Sequence, residues 1–243
     1  LIHGTPAFPI ACYHDDLRTE PVPWHWHEEL EVLVVSEGSV LAAAGGEKYR
    51  LETGEGLFIN AGVLHGDWPL NAGACRLHSM VFHPRLVGGS PDSVFWQKYL
   101  SPLIAAPECR CVPLLGETEW ERQILAEMQH IAHLWPEKQP GYEFAVRAAL
   151  SNILFLLKEH CVQHAPAPTE QELRDAERIK QMVDFVRLHR EDPITTAQIA
   201  ASASISVSEC LRCFRRMMDL TPKEYLCQHR IRHAATLLEQ TDK

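Results

Sequence analysis

The sequence predicts an α+β chain in which an N-terminal antiparallel β-barrel carries a helical hairpin and is followed by an all-α helix-turn-helix domain. Three observations predict it. From Pro23 to His83, short apolar runs rich in β-branched residues are punctuated by glycine, the pattern of short antiparallel strands closed by turns. Residues 118–134 and 142–162 carry apolar side chains at helical spacing. Beyond them, three helix-start signals follow in quick succession at Thr195, Ser206 and Thr221.

Taken in order, the strand runs are residues 30–36, 40–43, 48–51, 56–60 and 77–82, within a barrel of about residues 10–90. A barrel or a two-sheet sandwich satisfies the same pattern. Residues 91–163 are expected to be helical. A short helix and connector cover 91–104. In 118–134, Ile124, Met128 and Ile131 fall on one side, followed by Trp135. Residues 136–141, from a proline to a glycine, should break this helix from the next. The segment 142–162 is apolar almost all round, with Val146, Leu150, Ile153, Leu154 and Leu157. It therefore packs on the barrel or forms a homodimer through residues 118–163. This gives a first domain over 1–163. The proline-rich stretch starting at His164 marks a linker over 164–173, and a second domain covers 174–243.

In the second domain, each start signal is a capping box: Thr195 with Gln198, Ser206 with Glu209, and Thr221 with Glu224, the last with Pro222 at the first helical position. The hydroxyl accepts from a free backbone N–H, and the residue three places on reaches back. Starts eleven and fifteen residues apart define short helices joined by minimal turns, the grammar of a helix-turn-helix.

The net charge of −9 argues against an electrostatic nucleic-acid binder taken whole. The charge is uneven, however. Residues 171–243 hold 12 Lys/Arg against 11 Asp/Glu, and the residues before them 11 against 21. The run 207–232 has six basic and three acidic residues, so a modest positive face is confined to the helices. The longest apolar stretch, 153–157, is far too short to span a bilayer. The chain opens at Leu1 without a charged-then-apolar leader, and its eight cysteines are scattered, so a cytoplasmic chain with reduced thiols and no membrane partner is expected. Cys210 and Cys213 stand i, i+3 beside Phe214 and read as core. Cys109 and Cys111 read as loop residues.

A second constellation lies in the barrel: His25-Trp26-His27-x3-Glu31-x6-Gly38, then Gly54-x7-Gly62-x2-His65. On a strand, residues two apart face the same way, which puts His25, His27 and Glu31 on one inward face, joined by His65 from a later strand. Three imidazoles and a carboxylate fit a divalent first-row metal. They equally fit the polar groups of a small ligand, in a pocket completed by Asn60 and Trp68, or a hydrogen-bonded set at the barrel mouth. Trp24, Trp26 and Tyr49 offer flat faces for a sugar, or are ordinary core and surface aromatics.

The spacing of that constellation resembles the two cupin motifs, with Asn60 where proline is common; metal-binding cupins use those four positions. From residue 193 on, Ile194-Thr-Thr-Ala-Gln-Ile-Ala200, Ser206-x7-Phe214-Arg215, Thr221-Pro-x2-Tyr225-Leu226 and Arg230-Ile231-Arg232-x-Ala234-x2-Leu237-Leu238 resemble the AraC/XylS family of bacterial transcription regulators. The resemblance spans nearly the whole chain. It implies a cupin-like effector-binding and dimerisation domain, a sugar or related metabolite as effector, and double-stranded promoter DNA as partner. With Cys210 and Phe214 inward, Ser208, Leu211, Arg212 and Arg215 face outward, and these are the positions the family's recognition helix uses. Ser206 opens that helix. Arg212 is the candidate for a bidentate guanine contact, Leu211 for a thymine methyl, and Arg215 and Arg216 for phosphate. The sequence departs from the family at Asp219, where glycine usually ends the helix, and it stops at Lys243 where a second helix-turn-helix unit would follow, so the DNA-binding domain reads as truncated after its first unit. Two rival functions remain: a metal-dependent cupin enzyme, and a truncated dimerisation partner that does not bind DNA.

Overall fold

The computed structural model describes residues 3–161 and 169–240, and the chain divides into two compact units, Leu1–Pro168 and Thr169–Lys243. The first unit holds nine strands: β1 (Ile10–Asp16), β2 (Val22–His25), β3 (Leu30–Glu37), β4 (Ser39–Ala44), β5 (Glu47–Glu52), β6 (Gly56–Ile59), β7 (His65–Pro69), β8 (Arg76–Phe82) and β9 (Cys111–Leu114). They form two antiparallel sheets, β1-β8-β3-β6-β9 and β2-β7-β4-β5. The sandwich form of the expected architecture is therefore the one adopted.

Strand β3 shows why the sequence folds this way. Leu30, Val32 and Val34 join the core shared with the helices, while Leu33 and Val35 join the core between the sheets. Period-2 alternation in a strand covered on both faces gives one continuous apolar run. Glu31 falls on the inter-sheet face, where an acid is out of place unless partnered. Gly38 makes the turn into β4 at φ 80°, and a Cβ there would meet the Ala74 carbonyl oxygen at 1.8 Å, so no other residue fits.

Strands β1 and β9 had no clear sequence signal. The edge strand β1 is half exposed and lacks clean alternation. Strand β9 contains Pro113, which only a sheet edge accommodates. Cys111 is thus a strand residue rather than a loop residue, and Cys109 closes the 3₁₀ turn Pro107–Cys109.

Helix α1 (Arg85–Gly88), a π turn (Trp96–Leu100) and α2 (Ser101–Ala105) lead to the hairpin of α3 (Glu119–Glu137) and α4 (Tyr142–Cys161). Thr118 and Glu121 form a complete capping box at the start of α3. The break expected from Pro136 comes slightly later. That residue sits in the last turn, where its missing N–H removes a single bond, and Lys138 ends the helix in the left-handed conformation. Ile124, Met128 and Ile131 of α3 and Val146, Leu150, Ile153, Leu154 and Leu157 of α4 are buried in the core shared with the first sheet.

The second unit holds α5 (Glu170–Leu188), α6 (Thr196–Ser202), α7 (Val207–Met218) and α8 (Pro222–Gln240). Half of the proposed linker, 164–168, lies outside the described residues, and its last part, 170–173, is the first turn of α5. Ile179, Met182, Val183 and Val186 of α5 are buried, as are Ile199 and Ala200 of α6 and Cys210, Cys213, Phe214 and Met217 of α7. The boxes at Thr195 and Thr221 are complete. The one at Ser206 is half formed: its hydroxyl accepts from the Glu209 N–H, but the Glu209 carboxylate turns elsewhere. No described helix is long and apolar enough to cross a membrane.

Candidate functional site

Two sets of residues converge. In the sandwich, His25 ends β2 and pairs across the strands with His65, which begins β7. His27 is not on a strand, as alternation from His25 suggested. It lies in the turn carrying the chain from one sheet to the other, and Glu31 stands on the second sheet. The four side chains still meet, with one ligand atom from each within 4.8 Å of the others.

The hydrogen bonds fix what these imidazoles present. Nδ1 of His25 donates to the Pro23 carbonyl at 2.8 Å, that of His27 to Glu29 at 3.1 Å, and that of His65 to Val63 at 2.8 Å. A carbonyl only accepts, so each Nδ1 holds a proton, and a ring that carries no second proton turns a lone pair at Nε2 into the cluster. Nε2 of His27 and Nε2 of His65 lie 3.1 and 3.0 Å from the same Glu31 oxygen. Two lone pairs against a carboxylate are repulsive unless a proton or a cation lies among them. Burial opposes charge on His27, but the hydrogen bond and attraction of Glu31 outweigh it and raise its pKa. Burial works against ionised Glu31 too, and hydrogen bonds from His27 and His65 hold its pKa well below the usual range. His25, half-buried but largely desolvated and next to His65, is pushed down to about 3. This donor set fits a divalent first-row cation.

Two proposed pocket residues are elsewhere. The Asn60 amide donates to the carbonyls of Leu103 at 2.9 Å and Cys109 at 3.2 Å, and its Oδ1 accepts from the Ala61 N–H at 2.8 Å. It is a buried bracket under the α2 connection, with its amide N–H groups taken up by backbone carbonyls. Trp68 is on the wrong face of β7. It packs on Trp24, ring centroids 5.2 Å apart, over Gly66, where a Cβ would meet the indole at 2.7 Å. Its neighbour Asp67 takes the face shared with His65, and counting by two from His65 would have found it. Asp67 is buried with Oδ1 lacking a hydrogen-bond partner, and burial together with Glu31 and Asp15 raises its pKa well above the ordinary value. Ser79 is buried on the same inter-sheet face. His3 packs its ring 5.1 Å from His27, bonds Tyr13 through Nδ1 at 2.9 Å, and leaves Nε2 buried without a partner. No sequence pattern pointed to His3.

On α7, Ser208, Leu211, Arg212, Arg215 and Arg216 are exposed, opposite the buried face of Cys210, Cys213, Phe214 and Met217. Ser206 is spent as the helix cap. Asp219 adopts φ 57°, ψ 25°, the left-handed turn that glycine would otherwise supply, and Arg215 donates to its carbonyl at 2.9 Å. Arg212 remains mostly exposed while paired with Glu209. Arg216 is not the free phosphate ligand expected. Its guanidinium pairs with the fully buried Asp175 of α5 and braces α7 against α5.

The family model of the AraC-like ligand binding domain matches residues 8–154. The chain belongs to the AraC family of transcriptional regulators. It is 28% identical over 244 residues to the uncharacterized HTH-type transcriptional regulator YdeC of Bacillus subtilis (strain 168), covering 99% of this chain and 82% of that one. To the HTH-type transcriptional activator RhaS of Klebsiella pneumoniae (strain 342) it is 21% identical over 248 residues, covering 100% and 84%. Among solved structures it is similar to ToxT from Vibrio cholerae, with a TM-score of 0.44, 11% identity, and coverage of 90% of this chain and 97% of that one. An AraC-type regulator uses its first domain to bind a ligand, so the histidine cluster belongs to a binding domain, and the enzyme reading is set aside.

Proposed function

We propose that this regulator binds DNA sequence-specifically through α7 and is controlled by a small molecule held between its sheets. The observation that carries the reading is the division of α7 into a buried apolar face and an exposed face bearing Ser208, Leu211, Arg212 and Arg215. Such a helix fits the major groove, with Arg212 placed for guanine and Arg215 for phosphate.

His25, His27, Glu31 and His65 would hold a divalent cation, which supplies a Lewis-acidic point for ligand oxygens. Beside it, Asp67 and Ser79 offer an acceptor and a hydroxyl. None of the described buried polar residues is Lys or Arg. That electrostatic balance favours a neutral polyol, such as a sugar, or an amine over an anion. Phe144 and Phe155 project from α4 into solvent, which supports a homodimer through the 118–163 helices. The effector then acts by binding one arrangement of two readers better than another.

The test is enrichment of a randomised duplex library by the chain, followed by titration of the selected duplex. Arg212→Ala should lower the preference for that duplex over a scrambled one by about 1–3 kcal/mol. An unchanged preference removes Arg212 as the base reader, and a wild-type chain that enriches no sequence overturns the function.

A further inference from the structure

Spacing assigns Glu209 to the capping box of α7, yet the structure gives its carboxylate other work. One oxygen takes the Arg212 Nη2, and the other faces Arg178 Nη1 of α5 at 3.7 Å. Arg178 also approaches Asp175 at 3.7 Å, and Asp175 is buried and holds Arg216. Glu209 is therefore tied to the interior of the unit through Arg178. Its side chain is 20% exposed, whereas that of Arg212 is 67% exposed. The carboxylate lies back against the helices while the guanidinium stands out from them.

We propose that Glu209 is a positioning residue that holds Arg212 in the pose that reads guanine. The inference rests on the reading of α7 as the base-reading helix. A guanidinium has five N–H donors in a planar fork, so one edge bound to Glu209 leaves others for guanine O6 and N7. Unsupported, the long Arg212 side chain loses rotamer freedom on binding, and it can also reach phosphates or other bases. Held by Glu209, it is committed to one direction. Glu209 has a second effect of opposite sign: its negative charge beside the duplex weakens binding to any sequence. It thus lowers general affinity while raising discrimination. A residue that only stabilised the helix would raise both, and one that merely locked Arg212 away from DNA would lower both.

The test uses the full chain and the duplex it enriches from a randomised library. Affinities for that duplex, for versions with each guanine replaced by adenine, and for a scrambled duplex are measured by fluorescence anisotropy at one salt concentration. Glu209→Gln should bind the scrambled duplex about two- to threefold more tightly. Its preference at one guanine should fall about tenfold, the position that Arg212→Ala also loses. Glu209→Asp, which keeps the charge, should restore part of the preference. The inference is overturned if Glu209→Gln keeps or sharpens the preference while Arg212→Ala abolishes it. If Arg212→Ala leaves the preference intact, the base-reading assignment itself fails, and this inference falls with it. Helical circular dichroism of each variant confirms that the comparison is between folded proteins.

Discussion

The two units place their polar groups in opposite ways. Between the sheets, His25, His27, Glu31, His65 and Asp67 point inward, and the donors and acceptors do not balance: unless a proton or a cation is supplied, imidazole lone pairs face a carboxylate, and an Asp67 oxygen has no partner. In the helical unit, the buried carboxylate of Asp175 is matched by Arg216, Arg178 and Gln171; Arg190 Nε is buried without a partner, but the same guanidinium donates through Nη1 to the Arg187 carbonyl at 2.9 Å. A balanced interior is a structural device. An unbalanced one marks a place where something else supplies the missing partner. The contrast separates a brace from a binding site without reference to any relative.

The largest expected effect tests the unbalanced side. Protein purified without chelator should carry close to one equivalent of a first-row divalent metal by elemental analysis, and His65→Ala or Glu31→Ala should reduce this at least tenfold. His3→Ala should keep its metal, because His3 is not among the four converging ligands. Full metal content in His65→Ala, or none in the wild type, would leave the cluster as a hydrogen-bonded set and erase the contrast.

The contrast also explains what could be read from the sequence. Helical spacing placed Cys210 and Phe214 inward and Arg212 outward because one helix carries them all, so local geometry decides. The four-residue cluster was legible as a set, but by a flawed route. His27 was expected on the strand with His25, whereas the chain there leaves one sheet for the other. Asn60 and Trp68 were expected to complete the pocket, and they do not. Their true surroundings depend on the connection after α2 and on the outer face of β7, which no local pattern specifies. Arg216 looked like any exposed basic residue, since its partner Asp175 is far away in the sequence, on another helix.

A smaller effect is expected at Asp67. An acid buried with an unpartnered oxygen opposes folding of the ligand-free protein, so Asp67→Asn should stabilise it by about 1 kcal/mol in denaturant unfolding. The same variant should bind the effector less tightly, once one is found by thermal-shift screening of polyols and amines. If Asp67→Asn instead destabilises the protein by a similar amount, the carboxylate has a partner in solution and Asp67 belongs with the balanced braces.

The smallest effects lie at the helix starts, and they decide how cleanly Glu209 can be tested. At Thr195 the box is closed in both directions: the Gln198 N–H donates to the Thr195 hydroxyl at 3.3 Å, and Gln198 Oε1 accepts from the Thr195 N–H at 2.9 Å. At Ser206 only the hydroxyl half exists, because the Glu209 carboxylate is engaged by Arg212 and Arg178. Thr195→Ala and Ser206→Ala should therefore each cost about 1 kcal/mol, read as faster amide exchange in the helix that follows. Gln198→Ala should cost about half as much, through the lost return bond. Glu209→Gln loses no return bond to Ser206. It gives up its ion pairing with Arg212 and Arg178 and a favourable charge in the first turn, a smaller loss than that of the cap itself. Exchange in α7 that rises as steeply for Glu209→Gln as for Ser206→Ala would mean that the carboxylate does cap the helix, and its effect on DNA preference would then have to be read as fraying of the recognition helix.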